Sequence, residues 1–453
     1  MEKIKRLFKN ISFLAPFADD KLIEGGFILT DGPKIEKVGG NPEGINADEV
    51  IDLSGYLVIP GFVNTHHHLF QTLTRNVPEV VSAKLFDWLV FLYEKWKNID
   101  YEGAYISAII GLYEMMRSGV TTSTDMLYLY PYNRNELFDA EIEAAKRVGM
   151  RFHPTRGSMS LSKKDGGLPP DSVVQDEDEI LSQSEEAIKK YHDPSRYSML
   201  RVALAPCSPF SVTEELMIKT KELAERYDVL LHTHLAETKD EEEYCLERFG
   251  MRPVDYMEKL GWLDSRVWFA HLVWLTDGDI EKLAKTDSAM AHCPNSNMRL
   301  GSGISPVYKM KGKIRIGIAV DGSASNDTGN MLSEIRNTLL LQRVKYGPDA
   351  LTPYEVLEMG TIGGAQVLKM DDYIGTIEEG KAADFIGFKL NKLEFSGGLS
   401  DPVSALVMCD ARGVDLSVIN GEIKIREGEI LDDELPRFIE RHDRYSKELL
   451  AKG

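Results

Sequence analysis

Three consecutive histidines, His66, His67 and His68, close the apolar run Val58-Ile59-Pro60-Gly61-Phe62-Val63-Asn64-Thr65. Side chains alternate across a β-strand, so His66 and His68 share one face while His67 takes the other. Two imidazoles aimed at one point from the end of a strand suit a divalent transition metal. Zinc is the commonest occupant of such nitrogen-rich sites. A surface histidine cluster or a tag remnant is the bland alternative, but this cluster lies inside the chain, behind an apolar strand. Eight of the ten histidines (His66, His67, His68, His153, His232, His234, His271 and His292) stand at or near the ends of such apolar stretches. An isolated core histidine bonded to a carbonyl explains one or two of them, whereas convergence on one mouth is what metal catalysis requires.

The elements that must position them alternate apolar strand with amphipathic helix, which calls for parallel strands and crossover helices. After the opening run come strands at 120–125, 150–156, 200–206, 229–234, 267–271, 289–292 and 314–321, eight in all. Ile106, Ile109, Ile110, Tyr113 and Met116 recur at helical spacing before Gly119, and Ser211 with Glu214 and Thr276 with Asp279 have capping-box spacing. Eight strand-helix units indicate a (β/α)8 TIM barrel, whose active sites lie at the C-terminal ends of the strands. The first 57 residues read as short strands and turns. A matching β-rich pattern returns at 374–377, 383–388 and 414–421, followed by a charged helix near 432–450. The expected organisation is a small discontinuous β-sandwich built from residues 1–57 and 370–453, around a barrel over 58–369.

Composition excludes several function classes. The balance of 53 basic against 72 acidic residues, a net charge of -19, repels phosphate backbones and acidic lipid, so no nucleic-acid partner is expected. No run approaches the ~18 apolar residues of a membrane helix, and the start Met1-Glu2-Lys3-Ile4-Lys5 has no apolar leader core; a cytoplasmic protein is expected. Cys207, Cys245, Cys293 and Cys409 are scattered without a CxxC pair, which argues against both a disulfide framework and a cysteine-bound zinc.

Read together, Pro60 to His68, His234-Leu235-Ala236-Glu237-Thr238, Ala270-His271, Ala291-His292-Cys293-Pro294-Asn295-Ser296-Asn297 and Val320-Asp321-Gly322-Ser323-Ala324-Ser325-Asn326 resemble the amidohydrolase superfamily. The resemblance is to its cytosine/guanine deaminase-like and triazine hydrolase-like branch, and it covers essentially the whole chain. It implies a single Zn2+ per chain, with Fe2+ the alternative, held by His66, His68, His234 and Asp321. Spacing alone leaves His232 level with His234, and the His-x-x-Glu pattern of the resemblance selects His234. Binuclear members carry a lysine on the fourth strand; Arg201 to Pro206 has none, which favours one metal. Glu237 is implied as the proton shuttle to a ring nitrogen, His271 as the group that positions the nucleophile and polarises the attacked carbon, and Asp321 as acceptor of the water proton. His292 is expected to lie behind the reacting groups, without a catalytic role.

The substrate region carries the finer expectations. Gln71 resembles the glutamine that guanine-type deaminases offer to a purine edge. Trp88, Phe91 and Tyr93 could wall a flat heterocycle, although their helical spacing equally fits a core stripe. Pro206-Cys207-Ser208-Pro209-Phe210 departs from the arginine of guanine deaminases and the histidine of nucleoside-type relatives at its second position. With the segment that opens at Arg156, it resembles 8-oxoguanine deaminases and neighbouring pterin and triazine hydrolases. Gln71, Arg156, Cys207, Glu237 and His271 are thus the expected substrate contacts. The implied reaction is 8-oxoguanine with water to uric acid and ammonia. Isoxanthopterin or another pterin, guanine and a hydroxytriazine are the alternatives, and a catalytically dead scaffold is the remote one. A homodimer is the family-like expectation.

Overall fold

The structure, a computed structural model, describes residues 4–18 and 22–452; Met1 to Lys3, part of the start read above for a leader core, lie outside the described residues. Strands β1 (Lys5–Leu14), β2 (Ile23–Asp31), β3 (Lys34–Gly39), β4 (Glu49–Asp52) and β5 (Tyr56–Pro60) come first. Eight strands follow that alternate with helices: β6 (Phe62–Asn64), β7 (Val120–Leu127), β8 (Arg151–Ser158), β9 (Ala203–Pro206), β10 (Leu231–Leu235), β11 (Val267–His271), β12 (Ala289–His292) and β13 (Arg315–Ile318). They lie side by side in chain order, every neighbouring pair parallel. The ends meet where the Thr65 N–H and hydroxyl both donate to the Ile318 carbonyl, at 3.3 and 3.2 Å, and the Val320 N–H donates to Asn64 Oδ1 at 2.9 Å. This is the expected eight-stranded TIM barrel.

The remaining strands, β14 (Phe385–Lys389), β15 (Leu416–Ile419), β16 (Glu422–Arg426) and β17 (Glu429–Ile430), join the first five in one sheet ordered β17-β16-β15-β14-β5-β1-β2-β3, with β4 beside β1. Both chain ends thus build a second sheet, as expected. The sheet curls on itself: Lys34 bridges to Ala382, and the concave side encloses Phe8, Ile11, Ile28, Val58, Phe385 and Val418.

Several local expectations are corrected. The apolar run before the histidines is two strands, since β5 pairs with β14 and β1, and only Phe62–Asn64 enters the barrel. The break falls at Gly61, where an added Cβ would collide with the Thr121 side chain, so the chain can cross between sheets only without one. Residues 374–377 form no strand. The helix Glu214–Tyr227 is capped by Thr213, whose hydroxyl accepts the Leu216 N–H at 3.2 Å; the Ser211 hydroxyl is already engaged with Ser208 at 2.7 Å. Thr276 and Asp279 form the full capping box.

Two features tie the periphery to the barrel. The terminal helix Leu435–Ala451 places His442 Nε2 3.0 Å from Thr72 Oγ1 and donates the Ser446 hydroxyl to the Leu73 carbonyl at 2.7 Å. It thereby braces the turn that follows His68. Arg151, at the start of β8, reaches into the other sheet: its Nε donates to Asp384 Oδ2 at 2.9 Å, and the same guanidinium bonds the Tyr197 and Ser198 carbonyls and Asn420. Both partners are buried. Breaking a buried, fully bonded ion pair leaves one charge unpaired and costs about 3–5 kcal/mol. Arg151→Met is therefore expected to lower the urea midpoint of unfolding by an amount corresponding to that loss; an unchanged midpoint would show that the pair does not hold the two sheets together.

Candidate active site and metal centre

The loop after β6 carries His66, His67 and His68 to the mouth of the barrel. Closure of the barrel sets Asp321, just past β13, opposite them, with its N–H donating to the His66 carbonyl at 3.1 Å. His66 Nε2 lies 3.3 Å and His68 Nε2 3.5 Å from Asp321 Oδ1. His234, near the end of β10, brings its Nε2 to 3.1 Å from His68 Nε2. The potential ligand atoms of His66, His68 and Asp321 lie within 4.8 Å of one another, as do those of His66, His234 and His271. His67 turns the other way, its Nδ1 3.9 Å from Asp125 Oδ1. Asp125 accepts the Leu69 N–H at 2.6 Å and so holds the backbone just beyond His68.

The tautomers follow from the outer hydrogen bonds. A carbonyl only accepts, so His68 Nδ1, 2.8 Å from the Met126 oxygen, and His234 Nδ1, 2.7 Å from the Cys207 oxygen, each carry their ring's proton. His232 Nδ1 likewise donates to the Trp268 carbonyl at 2.8 Å, which makes its Nε2 the acceptor for His66 Nδ1–H at 2.7 Å. Burial lowers the pKa of all three facing rings and keeps them neutral. Three Nε2 lone pairs therefore point inward at one spot. Among the described residues His66 Nε2 has no hydrogen-bond partner, and two of the lone pairs face each other across 3.1 Å. Such an arrangement is unfavourable without a cation among them, and the donor set of neutral imidazoles and a carboxylate fits a divalent transition metal.

Around this point stand the proton-carrying groups. Burial pushes Glu237 up to about 7; His271 pulls it down, while Asp321 and Glu241 add to the rise. The turn bearing Glu237 is held by Glu241, whose carboxylate accepts the N–H groups of Ala236 and Glu237, each at 2.8 Å. His271 donates from Nδ1 to Asn297 Oδ1 at 2.9 Å and presents Nε2 3.5 Å from Glu237 and 3.8 Å from Asp321. Burial works against a charge on His271, but those two carboxylates and Asn297 raise its pKa overall. Burial also works against the charge on Asp321, and the surrounding imidazoles outweigh it and hold the carboxyl well below its usual range. His271 and Asp321 both have left-handed backbones, φ +76° and +60°, a conformation non-glycine residues adopt at a cost and mainly where function constrains them.

A small cavity opens over these groups, lined by His68, Gln71, Trp88, Tyr93, Tyr128, Cys207, Phe210, Glu237, His271, Leu300, Asp321 and Ser325, among others. Of the expected substrate contacts, Gln71, Cys207, Glu237 and His271 line it. Burial drives the Cys207 thiol up to about 12, so it presents a neutral S–H. Arg156 does not reach the cavity. Its guanidinium lies 3.5 Å from the Tyr130 ring centroid and is bonded to the Gly157 carbonyl, Gln175 and Gln183, so the geometry makes it a structural cation. Trp88 and Tyr93 line the cavity, whereas Phe91, on the same helix, faces elsewhere. His292 is buried and neutral, and neither of its ring nitrogens has a hydrogen-bond partner among the described residues; the residue that orients His271 is Asn297. Asn297 stood unassigned within the HCPNSN stretch, and His232, weighed as a ligand, instead fixes the tautomer of His66. Glu241 and Tyr128 had no signal beyond their residue types.

Comparison with known proteins agrees with this geometry. The model of the amidohydrolase family matches residues 57–424. The chain is 43% identical to the 8-oxoguanine deaminase of Pseudomonas aeruginosa, over 94% of this chain and 95% of that protein. It is 35% identical to the hydroxydechloroatrazine ethylaminohydrolase of Pseudomonas sp. strain ADP, over 90% and 87% respectively. The crystal structure of atrazine chlorohydrolase from Arthrobacter aurescens TC1 complexed with zinc superposes with a TM-score of 0.91 at 31% identity, covering 98% of this chain and all of that one. A match over most of the chain, on a barrel whose mouth gathers neutral imidazoles around a carboxylate, makes this protein a member of the amidohydrolase family and a metal-dependent hydrolase of carbon–nitrogen bonds.

Proposed function

We propose that the protein hydrolytically deaminates an amino-substituted heterocycle, with 8-oxoguanine and water going to uric acid and ammonia, and that it uses one zinc ion held by His66, His68, His234 and Asp321. The observation that carries this reading is the convergence of three imidazole lone pairs and an ionised carboxylate beside a buried, proton-carrying Glu237. A divalent metal held there would supply a water nucleophile at neutral pH, since such ions lower the pKa of water to about 7.

The chain's own residues do the rest. Asp321, held ionised, takes a proton from the attacking water. Glu237, whose carboxyl sits near neutrality, delivers one to the ring nitrogen next to the amino-bearing carbon. His271, aligned by Asn297, directs Nε2 at the same centre and polarises that carbon. As the new carbon–oxygen bond forms and the carbon–nitrogen bond breaks, the proton held by Asp321 passes to the departing amine, which leaves as ammonia, and the remaining proton of the added hydroxyl returns to Glu237 as the ring carbonyl forms. All of these groups stand among buried side chains at the cavity wall.

The choice of 8-oxoguanine rests on similarity to the Pseudomonas aeruginosa enzyme and on the cavity's chemistry. No lysine or arginine is among the residues lining it, and neutral Cys207 occupies the position where guanine deaminases carry an arginine. The site therefore suits a neutral ring. Guanine and 8-oxoguanine share the 2-amino group and differ at the imidazole edge, where the oxidised base presents N7–H and O8. A pocket that pairs such groups rejects a ring lacking them, by as much as roughly 10⁴–10⁵ where the match is strict.

Three outcomes are expected. Purified protein should hold about one zinc per chain, and His68→Ala or Asp321→Asn should lose both metal and turnover; two tightly held metals would overturn the mononuclear assignment. Glu237→Gln should keep its metal and lose ~10²-fold or more in kcat, as removal of a positioned acid-base group does; metal loss in that variant would make Glu237 a ligand instead. In an ammonia-release assay, 8-oxoguanine should exceed guanine by at least ~10²-fold in kcat/KM. A preference for isoxanthopterin or a hydroxytriazine would reject the substrate and leave the deaminase chemistry intact.

A further inference from the structure

Tyr128 follows β7 directly and is buried against the same cavity. Its ring stands edge-on to His68, with centroids 4.9 Å apart and planes at 82°, and 6.3 Å from the ring of His234, which anchors it at the reacting end. Its neighbour Gln71 is fixed from behind. The Ala324 N–H points at the carboxamide at 3.3 Å; a backbone amide only donates, so the atom it meets is Oε1, and Nε2 is the end turned toward the Tyr128 oxygen, at 3.5 Å. Gly322 keeps that space open, because any Cβ there would strike Gln71 Oε1. One Nε2 hydrogen faces the phenol oxygen, and the other has no partner among the described residues. The phenol O–H likewise has no acceptor among the described residues. Two unspent donors thus lie side by side, fixed by the backbone on one side and by ring packing on the other.

Two convergent donors call for one acceptor with two lone pairs, which is a carbonyl oxygen. We propose that Tyr128 is a substrate-binding residue whose O–H, beside the Gln71 amide, grips a ring carbonyl oxygen close to the reacting amino-bearing carbon. The inference rests on the deaminase reading above: in 8-oxoguanine the oxygen in question is O6, one ring nitrogen away from the attacked C2. A ring without it leaves both buried donors unmet, at about tenfold in affinity for each. Tyr128 thereby selects 2-amino-oxo heterocycles over aminated rings that lack the oxygen, independently of what the imidazole edge presents.

The test is calorimetric titration of the zinc-loaded full chain with two rings that have no amino group to lose. One is 6,8-dioxopurine, which keeps the oxygen, and the other is 8-oxopurine, which lacks it. Wild type should bind the first at least ~30-fold more tightly. Tyr128→Phe should weaken 6,8-dioxopurine ~10-fold, leave 8-oxopurine within about twofold, and retain its zinc. Gln71→Ala should show the same one-sided loss, and the double variant should lose less than the product of the two. Equal weakening of both rings would make Tyr128 a packing residue, and no change in either would remove it from the site; both overturn the inference. The substrate assignment is judged separately, by wild-type ammonia release. Should another ring prove to be the substrate, its oxo and deoxo forms replace the purines, with the same outcomes deciding.

Discussion

Each imidazole that faces the centre has already committed its one proton elsewhere: His68 to the Met126 carbonyl, His234 to the Cys207 carbonyl, and His66 to His232, which is itself bonded to the Trp268 carbonyl. Each of these hydrogen-bond chains ends on a backbone carbonyl of a barrel strand or of the segment that continues it, so strand register dictates the tautomers. A ring free to rotate or to exchange tautomers would present a lone pair or a proton with comparable ease. Here only the lone pair is available. The price is a cluster of inward-facing acceptors that is repulsive until a cation joins it, which is the usual relation between a preorganised ligand set and its metal.

The same economy extends to the carboxylates. Asp321 sits among imidazoles and stays ionised, whereas Glu237 sits in a buried, mainly apolar wall and is pushed up toward neutrality. Two acidic side chains in contact with one histidine are thereby given opposite protonation tendencies, the condition for one to accept a proton while the other delivers one. Backbone geometry supports the division. His271, the last residue of β11, and Asp321, shortly past β13, hold positive φ angles, and Glu241 ties down the turn that carries Glu237.

Parts of the molecule far from the cavity serve the histidine loop. The terminal helix bonds Thr72 and Leu73, Asp125 bonds Leu69 from the outer face of β7, and β5 anchors the start of the loop's strand in the second sheet. A loop carrying two of the inward-facing imidazoles is thus held on three sides. One chain end leads directly into the loop, and the terminal helix at the other packs behind it.

Much of this was legible in residue order. Alternating apolar and amphipathic stretches define eight parallel strands, because burial on both faces of a barrel strand leaves a local hydrophobic signature. The spacing of His66 and His68 determines that they share a face, and the chemical types of His234, Glu237, His271 and Asp321 at strand ends determine what reaction they suit. What could not be read was every feature that depends on partners distant in the chain. Arg156 was expected at the substrate and packs on Tyr130; orientation of His271 falls to Asn297; and His232 fixes the tautomer of His66. The opening run looked like one strand and is two, because the crossing at Gly61 is decided by the Thr121 side chain on the neighbouring strand. The sequence by itself determined the fold class and the residue types at the barrel mouth, since periodicity and strand-end position are local properties. Tertiary structure alone decided tautomers, proton affinities and which side chains face the cavity, because each of these is set by burial and by hydrogen-bond partners that only barrel closure brings together.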